Sequence, residues 1–210
     1  MRYDLHIHSK YSYDSFISPE RIIKVAKRKG LDGVAITDHN TIKGGIEAYQ
    51  INEDKNFSVI IGVEIKTEYG DIIGLFLKDE IRSKKFEEVV EEIKLQGGIV
   101  VLAHPYRQYK FPERLIDKID FIEGFNARSR MEDNKKAYEL SIKFNKPMIA
   151  GSDAHFLFEI GKGITVTNGE SNDNLIGNKT IIEGESMNYY LVHGMSFLIE
   201  KLKKIKRGEK

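Results

Sequence analysis

Apolar residues in this chain come in short runs that stop at a polar tip, and the stretch after most tips turns to helical spacing. Val34-Ala35-Ile36, Val59-Ile60-Ile61-Gly62-Val63, Ile99-Val100-Val101-Leu102-Ala103 and Met148-Ile149-Ala150-Gly151 are short and largely β-branched or small. They read as strands, and Val34-Ala35-Ile36 as one covered on both faces. Strands are expected over residues 3–7, 31–37, 57–65, 71–77, 99–103, 120–125 and 147–151, the fourth following a Tyr69-Gly70 turn. Ser18-Pro19-Glu20 supplies an N-cap, a first-turn proline and an early acid, opening a helix over 20–29 that Gly30 closes. Another helix starts at Thr41. Residues 83–96 carry Phe86, Val89, Val90 and Ile93 at helical spacing and stop at Gly97-Gly98. Further helices are expected over 112–118, 131–144 and 187–206, with 161–178 mostly loop around a short strand at 164–166.

A plan of strand, polar tip and helix repeated about seven times argues for parallel strands joined by helical crossovers. An open doubly wound sheet and a closed (β/α) barrel both satisfy it. The barrel explains more, because His6, His8, His39, Glu64, His104, Asp153 and His155 all fall at strand ends, where barrels gather functional groups. In Tyr3-Asp4-Leu5-His6-Ile7-His8 the strand alternation sends both imidazoles to one face and Leu5 and Ile7 to the other. Alone, a His-x-His is equally well a strand with imidazoles facing solvent. Eight candidate ligands at one mouth, with Asp14 added, exceed what a single ion can use.

Composition narrows the chemistry. At 210 residues the chain suits one domain, and a formal net charge of +1 gives no bulk attraction to nucleic acid or anionic membrane. Without cysteine, metal must be held by nitrogen and oxygen. No secretory plan opens the chain and no apolar run reaches membrane-spanning length, so a cytoplasmic location is expected. Asp38 reads as an acid that is solvated or orients a ligand. His193, within Leu191-Val192-His193-Gly194, reads as structural or exposed.

His6-x-His8, Thr37-Asp38-His39, Gly62-Val63-Glu64, Ala103-His104-Pro105 and Gly151-Ser152-Asp153-Ala154-His155 together resemble the ordered motifs of the polymerase and histidinol phosphatase (PHP) superfamily of metal-dependent phosphoesterases. The resemblance runs over about residues 1–166, each motif weak alone and the ordered set specific. It implies an α/β fold, a distorted (β/α)7-type TIM-like barrel in a single domain, with residues 167–210 as an extension packed on it. It implies two or three divalent ions, zinc, manganese or iron. By the same likeness His6, His8, Glu64 and Asp153 hold one ion, Glu64 bridges to a second that also takes His104, and Asp14, His39 and His155 hold a third. Many members carry a histidine in a Gly-His tip where this chain reads Gly70-Asp71. Asp71 either replaces it as an oxygen ligand or leaves the second site weak or empty.

The reaction implied is hydrolysis of a small phosphate ester, a phosphomonoester or short nucleotide diester, by hydroxide generated between bridging metals. Asp153, His155 and Arg128 are the catalytic candidates, and Arg107, Arg128 and Arg130 are placed to grip phosphate. A small phosphorylated substrate or nucleotide is the expected partner, nucleic acid only as a short substrate. Two alternatives remain: an amidohydrolase-like C–N hydrolase with similar metals, and a non-catalytic RNA-binding barrel. The short connection between the Glu64 and His104 strands leaves no room for a large cap, which implies an open, shallow mouth.

Overall fold

Strand β1 (Arg2–Ile7) lies deep within a nine-stranded sheet whose order is β7-β6-β5-β4-β3-β2-β1-β8-β9. The computed structural model describes residues 1–108, 111–167 and 180–208, and the expected loop at 161–178 falls largely outside them. After β1 come α1 (Pro19–Arg28), β2 (Gly33–Ile36), α2 (Lys43–Ile51), β3 (Ser58–Thr67), β4 (Gly70–Leu75), α3 (Phe86–Leu95) and β5 (Ile99–Leu102). A 3-10 helix (Glu113–Lys118) leads to β6 (Phe121–Asn126), α4 (Met131–Phe144), β7 (Met148–Gly151), β8 (Gly163–Thr167), β9 (Thr180–Gly184) and α5 (Tyr189–Arg207). Among the described residues no helix is long and apolar enough to cross a membrane.

The architecture is a mixed α/β single domain with a nearly closed barrel. β1, β2 and β3 run parallel, as do β5, β6 and β7. The all-parallel expectation fails at β4, which runs antiparallel to both β3 and β5. The Tyr69-Gly70 turn is the cause: its span is far too short for a crossover, and Gly70 takes φ 134° to make the hairpin. β8 and β9 are antiparallel as well. Reversal of β4 puts its start, rather than its end, at the rim where the parallel strands finish, which brings Asp71 to the histidines. Because β3 runs on to Thr67, Glu64 is a mid-strand residue, bridged to His39 from the end of β2. β1 and β7 close the barrel through the Ile7–Ala154 bridge and through Asp4, whose carboxylate accepts from Ser152 N at 2.9 Å.

Three apolar clusters fill the fold. Tyr3, Leu5, Ala35, Ile60, Ile73, Leu75, Val101, Ala103, Phe121 and Ile149 come from β1 to β7 or their ends with no helix residue among them, so they are the barrel interior. Ile7 packs instead with Ile22, Ala26 and Val34 under α1, and Val89, Ile93 and Leu102 pack under α3. Leu5 and Ile7 therefore do not share a face as strict alternation expects. The register of β1 against β2 shifts between Asp4 and Ile7, and this irregularity lets Leu5 fill the interior while His6 and His8 turn into the mouth above it.

Candidate metal centre

The expected strand-end side chains meet at one rim. His6 and His8 approach each other through Nε2 at 3.1 Å, and both Nε2 atoms lie 3.2–3.5 Å from Glu64 Oε2 and Asp153 Oδ1. His104 Nε2 is 2.9 Å from Glu64 Oε1, and its Nδ1 is 3.8 Å from Asp71 Oδ2. His39 reaches Glu64 through Nδ1 at 3.2 Å and Asp14 through Nε2 at 3.4 Å, while His155 Nε2 lies 2.8 Å from Asp14 Oδ2. All except His39 and Asp71 are buried. Four overlapping groups have donor atoms within 4.8 Å of one another: His8, Asp14, His39 and His155; His6, His8 and Glu64; His6, His104 and Asp153; Glu64, Asp71 and His104.

The polar partners behind the imidazoles fix their tautomers. His6 Nδ1 donates to Glu123 Oε1 at 2.9 Å, and His155 Nδ1 donates to the Asp153 carbonyl at 2.8 Å. Ser12 Oγ donates to Asp38 Oδ1 at 2.8 Å and so accepts from His8 Nδ1 at 3.0 Å. In each case the Nε2 lone pair is left for the cluster. His104 and Asp153 adopt left-handed backbone, φ 26° and 55°, of the kind that costs about 1–3 kcal/mol and collects at working sites.

Charge shows what the cluster lacks. Burial disfavours the charged imidazole of His8, yet Asp153 and Glu64 outweigh it and raise the pKa to about 9. His6 is likewise held well above its ordinary value against burial, by Asp153, Glu123 and Glu64. These carboxylates call for positive charge at their centre. His155 behaves oppositely: burial, then the Arg128 guanidinium, lowers its pKa to about 3, and its Nε2 lies 2.8 Å from Asp14 Oδ2, while against burial His155 and His39 hold the Asp14 carboxyl well below the usual carboxylate range. A cation shared between the imidazole and the carboxylate would satisfy both. Metal–ligand bonds of about 2.0–2.2 Å set neighbouring donors about 3.0–3.6 Å apart, and the donor pairs here lie 2.8–3.8 Å apart. The donor set fits divalent metal held by nitrogen and oxygen.

Asp71 lies where the sequence left two possibilities. Burial and the nearby Glu64 charge raise its pKa, so its ionised form gains from a cation beside it. Of the three arginines, Arg107 and Arg128 line the cavity and Arg130 does not. Arg107 Nη1 is 2.7 Å from Asp153 Oδ2, and its Nη2 donates to Asn126 Oδ1 at 2.5 Å. Asp153 thus divides its oxygens between Arg107 and the histidines. Arg128, expected to grip phosphate, directs Nη2 to Val192 O at 2.7 Å and Ser196 Oγ at 2.8 Å, which ties α5 to the barrel. Arg130 is exposed against the rings of Tyr189 and Tyr190 and is no part of the cavity wall.

Sequence reasoning missed Glu123, whose carboxylate also accepts from His104 N at 2.9 Å. An acid inside the apolar run Phe121-Ile122-Glu123-Gly124-Phe125 was the available signal. It also missed the cavity's outer wall. Above the cluster is a cavity of about 310 Å³, lined besides by Tyr13, Lys66, Lys84, Gln108, His193 and Ser196. Tyr13 stacks on His39 at 4.6 Å.

A family model described as PHP domain matches residues 4–180, and the chain belongs to that family. It is 44% identical over 144 residues to an uncharacterized protein of Methanocaldococcus jannaschii, the match covering 62% of this chain and 84% of that one. The fold is similar to that of a two-domain Bacteroides vulgatus protein containing a predicted PHP-like metal-dependent phosphoesterase: TM-score 0.77 at 20% identity, over 94% of this chain and 69% of the other. It is also similar to an amidohydrolase of Chromobacterium violaceum solved with sulfate and no metal: TM-score 0.60 at 19% identity, over 73% of this chain and 87% of that one.

Proposed function

We propose that this PHP-family protein hydrolyses a small phosphate ester, a phosphomonoester or short nucleotide diester, with two or three divalent ions of zinc, manganese or iron. His6, His8, Glu64 and Asp153 would hold one, Glu64, Asp71 and His104 a second, and Asp14, His39 and His155 a third. Divalent ions there lower the pKa of water and offset negative charge on phosphoryl oxygens. The chain's own part is orientation. Glu123, Ser12 and the Asp153 carbonyl aim three Nε2 lone pairs inward. Arg107 holds Asp153 so that Oδ1 faces the histidines, and Lys66 and Lys84 give the exposed lip positive charge suited to a phosphoryl group. The observation that carries this reading is the convergence of donors from six strands or the residues just after them, and from the Asp14 loop, at ligand spacing around one cavity.

The test is a panel of phosphomonoesters, phosphodiesters, amides and lactones, assayed with manganese-loaded protein before and after chelation. Turnover of a phosphate ester, lost with chelator and regained with metal, is expected. Turnover confined to amides or lactones would contradict it.

A further inference from the structure

Helix α5 lies beyond the residues matched by the family model, yet it puts His193 and Ser196 into the cavity wall. Two clamps hold it. Arg128 Nη2 donates to Val192 O and Ser196 Oγ, and Lys203 Nζ donates to Lys10 O at 2.9 Å and Ser12 O at 2.5 Å, in the loop that leads to Asp14. At the first clamp the His193 ring stacks on Tyr189 at 4.2 Å, and its Nδ1–H donates to Tyr189 O at 2.7 Å. That bond fixes the tautomer and leaves a lone pair on Nε2. Among the described residues Nε2 has no hydrogen-bond partner, and it is not sealed from solvent. Burial, with the Arg107 guanidinium next, lowers the His193 pKa to about 4, so the ring is neutral near pH 7 and Nε2 accepts rather than donates.

An acceptor stands out on this wall. A phosphoryl group at neutral pH is rich in acceptor oxygens and suits the lysines, the arginine and a metal cluster. It gains nothing from a second lone pair. The half of the substrate that suits Nε2 is the alcohol half, if that half carries a donor. Building on the phosphoesterase reading, we propose that His193 is a specificity residue, accepting a hydrogen bond from a hydroxyl or amino group on the alcohol portion of the ester. Arg128 is then a positioning residue that seats α5.

The test compares glycerol 2-phosphate, whose alcohol carries hydroxyls, with phenyl phosphate, whose alcohol carries none, on manganese-loaded wild type, His193→Ala and His193→Gln. In the alanine variant the ratio of kcat/KM for glycerol 2-phosphate over phenyl phosphate should fall about tenfold, mostly through KM. That is about 1.4 kcal/mol, the size of one neutral hydrogen bond. Glutamine, whose Oε1 can accept, should restore most of the ratio, which a merely structural role would not do. Equal losses on both esters, or no rescue by glutamine, would overturn the assignment. If wild type hydrolyses neither ester, the ratio of dissociation constants for the two esters still tests His193, while the phosphoesterase reading stands or falls on the wider panel. Binding of neither overturns the assignment of His193.

Discussion

Glu123 Oε1 accepts from His6 Nδ1 at 2.9 Å while Glu123 Oε2 accepts from His104 N at 2.9 Å, so one fully buried carboxylate braces two of the cluster's histidines. A glutamine there can satisfy one of those N–H groups with its oxygen and must turn its NH2 toward the other. Glu123→Gln is expected to weaken metal affinity about 10- to 100-fold, the usual effect of losing the group that orients a ligand. Competition with a chromogenic chelator measures it, and an unchanged affinity would show that the brace is idle.

Asp71 sits in the group with Glu64 and His104. Asp71→Ala should lower bound metal by one equivalent, whereas Asp71→His, which supplies an imidazole donor in its place, should retain it. Elemental analysis after exhaustive dialysis reads both. Full metal content in the alanine variant would remove Asp71 from the ligand set.

Gly151 lies against the cluster: a Cβ there would meet His6 Cβ at 2.4 Å and Glu123 Oε1 at 2.7 Å. Gly151→Ala is expected to cost about 1–3 kcal/mol through overpacking. At this chain length that lowers the thermal midpoint by about 2–4 °C per kcal/mol, and displacement of His6 should weaken metal uptake too. A midpoint and metal content equal to wild type would contradict the packing.

Most of the barrel and its rim was legible in the sequence because strand-end tips announce themselves locally: an apolar run, then a polar residue. His39, His104 and Asp153 follow that rule, each at or just past the tip of an apolar strand. What escaped depends on distant partners. The β4 reversal puts Asp71 at the rim, and only the hairpin pairing shows it. The shift in β1, which separates Leu5 from Ile7, is set by how β1 pairs with β2. That Arg128, in the cavity wall, also binds α5 through its guanidinium shows only once the helix is placed, and His193 looks structural until the same helix is seen lining the cavity.

The lowered pKa of His193 predicts a pH effect on stability. The unfolded chain binds a proton below pH about 6.5 that the folded chain refuses until about pH 4. Its stabilising contribution is therefore complete above pH 6.5 and is lost as pH falls toward 4. Thermal unfolding across that window should fall less steeply for His193→Gln than for wild type. Parallel curves would mean that the ring titrates normally.

The central claim is that one cluster of imidazoles and carboxylates takes up divalent metal. Elemental analysis and manganese titration of wild type beside the His6→Ala/His8→Ala double variant test it most directly. Two or three equivalents in wild type, with most uptake lost in a double variant that keeps its far-ultraviolet circular dichroism, is the expected result. Equal uptake by both proteins, or none by wild type, would contradict it.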